Sequence, residues 1–305
     1  MVDDIARMEQ VIARVEKLPT ISAVVVRLTK LLESTRTSAK QVTEVLSEDQ
    51  ALTAKILKLA NSSYYGFAGQ IATTQQAVVL LGFETLRNVA LSASVIEVFR
   101  GTQEGREISR MFGCDRFWEH SIGAAVIARL VAAEGKLCDP EEAFVVGLLH
   151  DIGKLIMLEY LPEEFAAVLR SARSREIPFV EAELGAGVNH AGLGRFLIER
   201  WNLPRSISEG VGFHHSFRAK RPTAAFQAIA HFADFFVRAR GVGDSGDGRI
   251  PPLSPEAWEA LDLGTDRFKD LLAQFDAEML KASVFIEMAR GERKIEPEAS
   301  SEAGR

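Results

Sequence analysis

The chain has 305 residues, 47% of them hydrophobic and 26% charged, a globular composition that excludes a disordered or fibrous protein. Its formal net charge of −6 speaks against the broad basic face that phosphate backbones require, so nucleic acid is not an expected partner. Two cysteines, Cys114 and Cys138, are too few for a disulfide framework and point to a reducing compartment.

The longest uncharged apolar runs, such as residues 143–149, fall far short of the roughly 20 residues of a membrane span. The start, Met1-Val2-Asp3-Asp4, is acidic where a signal peptide is basic, so the expectation is a cytoplasmic protein with no membrane insertion. Apolar positions at Ile5, Met8, Val11, Ile12 and Val15 predict a helix over 4–17, ended by Leu18-Pro19. A second helix is expected over 22–32. Ser38 with Gln41 reads as a capping box that opens a third through Val42, Val45 and Leu46. Residues 49–60 place Leu52, Ile56, Leu59 and Ala60 on one face before the polar break Asn61-Ser62-Ser63. Thr73 with Gln76 caps a helix that runs to Gly82, and an apolar helix over 84–99 completes a strand-free first half.

All six histidines lie beyond residue 119, which divides the chain into an N-terminal helical half, 1–110, and a half, 111–240, that holds every imidazole. Helices are expected there over 116–134, 140–160, 162–174, 178–185, 190–201, 204–215 and 223–239, the second opened by Asp139 as N-cap with Pro140 at N1. Residues 241–255 read as an exposed loop and 256–290 as C-terminal helices on the period of Phe268, Leu271, Leu272, Phe275 and Met279. The tail 291–305 should fray. No alternating strand pattern occurs, so the fold class is all-α.

Chemistry enters at GLLHDIGK, residues 147–154, where His150 and Asp151 are adjacent on an apolar helix. An ionised carboxylate is costly to leave unpaired in such surroundings, and the neighbouring imidazole favours a metal as its partner. A plain core His–Asp hydrogen bond is the alternative. The pattern recurs with His120 near Ile122, Val126 and Ile127, with Asp234 among Phe232, Ala233, Phe235 and Phe236, and with His190 after Asn189. Together with His214-His215 these residues suit two divalent ions that share Asp151. His120, His150, Asp151 and Asp234 would hold one, and His190, His214, His215 and Asp151 the other, roughly 3.5–4 Å away. Mixed imidazole and carboxylate ligands suit iron, manganese or zinc. Asp151 and Lys154 are the candidate catalytic residues, Lys154 being placed to meet a bound phosphate as a point charge, with space at Gly153 for close approach. A surface lysine is the alternative for Lys154. His231 is read as a neighbour of the site and not a ligand, and Arg218, Lys220 and Arg221 as a solvated loop.

This order of histidines and aspartates resembles the HD superfamily of metal-dependent phosphohydrolases. The segments LPTIS (18–22), LTAKILKLANSSYYG (52–66), AVVLLGFETLRNVAL (77–91), EHS (119–121), EEAFVVGLLHDIGK (141–154), NHAGLGRFLIERWNLP (189–204) and HH (214–215) resemble the HDOD family over about residues 18–240. The resemblance implies an N-terminal helical bundle packed on an HD-like metal-site subdomain. It also implies a regulatory role in bacterial signal transduction through a protein partner that contacts the N-terminal half. HDOD modules are similar in fold to the HD-GYP cyclic-dinucleotide phosphodiesterases, and many have lost metal ligands. Here every position is filled, which keeps hydrolysis of a phosphoester or nucleotide as an alternative and a di-iron redox or dioxygen sensor as a second. SFRAKRPT after His215 lacks the Gly-Tyr-Pro signature, against cyclic-di-GMP cleavage. Arg116 stands where trinuclear relatives carry an acidic residue, against a third ion.

Overall fold

The computed structural model describes residues 18–100, apart from 33 and 35, and residues 107–291; the helix expected over 4–17 and the tail beyond 291 lie outside them. Among the described residues the chain is all-helical, with no strand. Four helices build the first half: α1 (Ala23–Leu32), α2 (Ala39–Ser47), α3 (Gln50–Ala60) and α4 (Thr74–Arg100). Both capping boxes form. The Ser38 hydroxyl accepts from the Gln41 N–H while Gln41 Oε1 accepts from the Ser38 N–H, and Thr73 and Gln76 repeat the exchange at 3.1 and 3.2 Å. The first three helices pack on α4. By length and composition α4 could cross a membrane, but it bends at Gly82 (φ 76), and Leu86, Val89, Val95, Ile96 and Phe99 beyond the bend are buried in the core.

The second half begins with a short helix that sequence periodicity did not announce, α5 (Glu107–Phe112), and continues through α6 (Cys114–Gly135), α7 (Pro140–Leu149), α8 (Ile152–Tyr160), α9 (Pro162–Arg175), α10 (Phe179–Ala186), α11 (His190–Arg200), α12 (Arg205–Gly212) and α13 (Ala224–Ala239). Asp139 caps α7 through a 2.7 Å bond from the Glu142 N–H, with Pro140 at N1. α6 and α7 form the central pair, and α13 lies across both. After the loop come α14 (Pro255–Leu261), α15 (Thr265–Lys281) and α16 (Ser283–Arg290). α15 and α16 pack on α6, and α16 reaches α4. Buried apolar side chains form one cluster from Ile21 to Ala289.

Four expectations are corrected. Residues 140–160 are two helices, broken at His150-Asp151, where Asp151 has φ −100 and ψ 7. On an unbroken helix adjacent side chains diverge by about 100°, so the break is what lets both residues face one point. The helix expected over 204–215 ends at Gly212, which leaves His214 and His215 on the turn beyond it. Residues 241–255 are not simply exposed: Ser245 is 1% exposed, and the segment covers the centre of the second half. The room at Gly153 is taken by α11, since a Cβ there would lie 1.9 Å from the His190 carbonyl oxygen.

That contact is testable. Gly153→Ala forces backbone apart and should lower stability by about 3 kcal/mol or more. Gly185→Ala, in open space on a helix, should leave stability unchanged or raise it by about 0.5–1 kcal/mol. Urea denaturation of the two variants checks the opposite signs.

Candidate metal centre

Five segments bring the side chains together. His120 comes from the middle of α6, His150 and Asp151 from the α7–α8 break, His190 from the first turn of α11, His214 and His215 from the turn after α12, and Asp234 from α13. Asp151 occupies the N-cap position of α8 but makes no side-chain cap, so its carboxylate is free to turn inward. His190 is placed by Asn189, whose side chain caps α11 through the Gly192 N–H at 3.0 Å. His214 is fixed from behind: His231 Nδ1 donates to its carbonyl oxygen at 2.7 Å, and His231 Nε2 accepts from the Ser254 N–H at 2.9 Å. His231 thus touches the backbone of the site and offers it no ligand atom.

All seven sequence-predicted residues converge, in two overlapping groups whose ligand atoms lie within 4.8 Å of one another. One group is His120, His150, Asp151 and Asp234; the other is Asp151, His190, His214 and His215. Asp151 spans them. Its Oδ2 lies 3.4 Å from His150 Nε2 and 3.7 Å from His120 Nε2, and its Oδ1 lies 3.1 Å from His190 Nε2 and 3.8 Å from His214 Nε2. Asp234 Oδ1 closes the first group at 3.1 Å from His120 Nε2 and 3.5 Å from His150 Nε2. Six of the seven residues are at most 1% exposed, and His215 is half-buried, its ring 3.9 Å from that of His214.

Three imidazoles turn Nδ1 away from the centre and donate it: His150 to the Gly147 carbonyl at 2.8 Å, His214 to that of Val211 at 2.6 Å, and His190 to Glu183 at 2.7 Å. Their Nε2 atoms are left facing inward, so that His120 and His150 stand Nε2 to Nε2 at 3.2 Å and His190 and His214 at 3.3 Å. Two lone pairs at that distance repel unless a proton or a cation lies between them. Asp151 Oδ1 is likewise buried without a hydrogen-bond partner, which is costly for a carboxylate oxygen. Outward Nδ1 donation, inward Nε2 and a carboxylate oxygen left without a hydrogen bond form the pattern of a metal-ligating shell, and the donor set of both groups fits bound metal.

The electrostatics agree. Burial alone would raise both carboxyls, but the Lys154 ammonium and His150 hold Asp151 well below the usual carboxylate range, and Arg238 with His120 and His150 does the same for Asp234. Burial, then the crowd of neighbouring imidazoles, holds His214 and His215 well below the usual histidine range, so both present lone pairs at neutral pH. Burial also keeps His120 low, against the pull of Asp234. His150 and His190 go the other way. Burial opposes their charge, but Asp151 lifts His150 to about 9, and Glu183 with Asp151 raises His190. Without a cation, the His150 proton lies in the gap between His120 and His150.

Lys154 is buried, not a surface lysine. Its Nζ donates to Asp151 Oδ2 at 2.7 Å and to the carbonyl and hydroxyl of Ser245 at 3.2 Å. Sequence reasoning missed three supports of the site. Glu183, 2% exposed, accepts from both the backbone N–H and Nδ1 of His190 at 2.7 Å. Arg238 donates Nε to Asp234 Oδ1 at 2.7 Å. The loop lies over both groups, with Gly243 so close to α6 that a Cβ would meet the His120 nitrogen at 2.2 Å. Signals existed for two of them: Glu183 falls with Phe179 and Ala182 on the i, i+3, i+4 stripe, and Arg238 is four residues beyond Asp234. Arg116, placed against a third ion, instead holds the loop, donating to the Gly243 carbonyl at 2.9 Å.

The fold and the centre define an all-helical protein with two buried His/Asp groups that could bind metal. The HDOD domain family model matches residues 18–217, and the chain belongs to that family. Its structure is similar to that of an HDOD domain protein from Geobacter sulfurreducens, 27% identical, with a TM-score of 0.76 over 94% of this chain and 98% of that one. Among curated proteins it is similar to an uncharacterized protein of Treponema pallidum, 25% identical over 67% of this chain, and to Ribonuclease Y of Mycoplasmoides gallisepticum, 26% identical over 70% of this chain. The matched regions span only 38% and 32% of those two relatives.

Because His150 is raised to about 9, it carries its proton at pH 7.5, and a cation must displace it. Calorimetric titration of metal-free protein with Zn²⁺ or Mn²⁺ at that pH should release protons, so that the measured heat varies with the ionisation enthalpy of the buffer. A heat independent of the buffer would contradict this arrangement.

Proposed function

We propose that this chain is a cytoplasmic HDOD regulatory protein of a bacterial signalling pathway, acting on a protein partner, with a dinuclear metal centre that stabilises and tunes its second half. The observation that carries the reading is the Asp151 carboxylate, whose two oxygens face two separate sets of imidazole Nε2 atoms, with Oδ1 buried and making no hydrogen bond. Iron, manganese and zinc all suit the donor set. Burial of the ligands beneath the 243–251 loop favours binding and regulation over turnover in this conformation.

A second reading, a metal-dependent phosphohydrolase, is favoured by Lys154 and Arg238, two cations held beside the ligand groups. When bound, the metals would supply Lewis-acid charge to a phosphoryl oxygen. Lys154 and Arg238 would hold and orient the anionic oxygens, and the loop would exclude water. The likeness to a protein named Ribonuclease Y adds RNA to the phosphodiesters worth testing.

Elemental analysis tests the centre. The purified protein should hold about two transition-metal ions per chain, and His214→Gln should lose at least one. Asp151→Ala is the poorer variant, because it leaves the Lys154 ammonium buried without its carboxylate. Chelation should lower Tm by roughly 5 °C or more, since an ion bound only by the native state adds a few kcal/mol. Metal-free protein whose Tm ignores added ions would overturn the reading. Turnover of a phosphomonoester, a cyclic dinucleotide or a short RNA above the His214→Gln control would favour the hydrolase; none with any metal would favour the regulatory protein.

A further inference from the structure

The loop that covers the centre ends in a buried carboxylate with a particular set of donors. Asp247, its side chain 1% exposed, accepts from the Arg238 guanidinium through Oδ1 and from the Phe179 N–H through Oδ2. Phe179 is the first residue of α10, so its N–H is one of the donors that a helix leaves unsatisfied. Arg238 is held in place by Asp234, by the Ser245 hydroxyl at 2.5 Å and by the Arg249 carbonyl at 3.0 Å. Lys154 Nζ lies 4.8 Å from the centre of the Phe179 ring. Lys154, Phe179, Arg238 and Asp247 line one closed cleft with the ligand His215, and the space between them does not admit a water-sized sphere.

One guanidinium nitrogen, Arg238 Nη1, beside a helix N–H that has no partner within its helix is a donor pair that can hold two oxygens of a phosphoryl group. A carboxylate presents the same pair of anionic oxygens on a smaller body. The two ends of the loop also differ. Residues 243–246 are clamped: Arg116 donates to the Gly243 carbonyl and Arg173 to that of Gly246 at 3.1 Å. Gly248, Arg249 and Ile250 are exposed. Asp247 stands between Gly246 (φ 116) and Gly248 (φ 62), where the backbone can turn with little steric cost.

We propose that Arg238, the Phe179 N–H and Lys154 form a phosphoryl-binding cradle against the metal centre, that the chain's own Asp247 fills it, and that a phosphorylated ligand enters by displacing residues 247–251. The ligand class rests on the phosphohydrolase reading above. The cradle itself is made of residues that ligate no metal, so it can be tested with the ions removed.

Inorganic phosphate is titrated by calorimetry into full-length wild type and Asp247→Ala, each chelator-treated and each metal-supplemented, with metal content measured on the same samples. Wild-type affinity is reduced by the fraction of molecules in which Asp247 is out of the cradle. Asp247→Ala should therefore bind phosphate at least about tenfold more tightly in the metal-free samples, with Asp247→Asn between the two. Equal affinities for wild type and a folded Asp247→Ala would overturn the cradle, whatever the metal content proves to be. Hydrogen exchange on the wild type needs no variant: saturating phosphate should speed amide exchange in 247–251 while 243–246 stay protected. Unchanged exchange at 247–251 under saturating phosphate would equally overturn it. No metal in the supplemented samples, with the tenfold gain intact, would remove the dinuclear reading and leave the cradle standing.

Discussion

Two carboxylates buried side by side among imidazoles constrain everything around them. Asp151 and Asp234 are at most 1% exposed, and charge in such a place survives only with matching countercharge. Lys154 answers Asp151 and Arg238 answers Asp234, each at 2.7 Å. These cations are one layer removed from the centre. The inward space between the Nε2 atoms remains for protons or metal ions, and the break between α7 and α8, the turn after α12 and the crossing of α13 over α6 follow from the need to aim seven side chains at it.

The scaffold supports this by holding the back of three of the imidazoles. Gly147, Glu183 and Val211 take the Nδ1 protons of His150, His190 and His214, and His231 holds the backbone of His214. An imidazole so held has one nitrogen committed outward and one inward, which fixes the tautomer before any ion arrives. The same helices carry the core, and α16 ties the ligand-bearing half to α4. The site is therefore built on rigid elements, with the loop as its one irregular cover.

Much of this was legible in the residues. The capping boxes at Ser38 and Thr73, the Asp139-Pro140 start and the bend at Gly82 are local chemistry, and local chemistry can be read from short windows. The seven converging side chains were legible because polar groups recurred in apolar runs, where only a partner makes them tolerable. The break at His150-Asp151 was not, because Leu148, Leu149, Ile152, Leu155 and Ile156 keep a helical period straight across it. Glu183 was hidden by an inverted face: it is 2% exposed while the adjacent Leu184 is 82% exposed. The 241–255 segment was misjudged because glycine and proline report turns, whereas its burial is decided by Arg116, Arg173 and Arg238, which lie far off in sequence or on another element.

The most direct measurement is anomalous diffraction from crystals of the full chain, recorded at the absorption edges of iron, manganese and zinc. The account predicts two peaks roughly 3.5–4 Å apart, one beside His120, His150 and Asp234, the other beside His190, His214 and His215, with Asp151 between. A map without peaks, in which the imidazoles bond to one another through protons alone even after metal soaking, would contradict it.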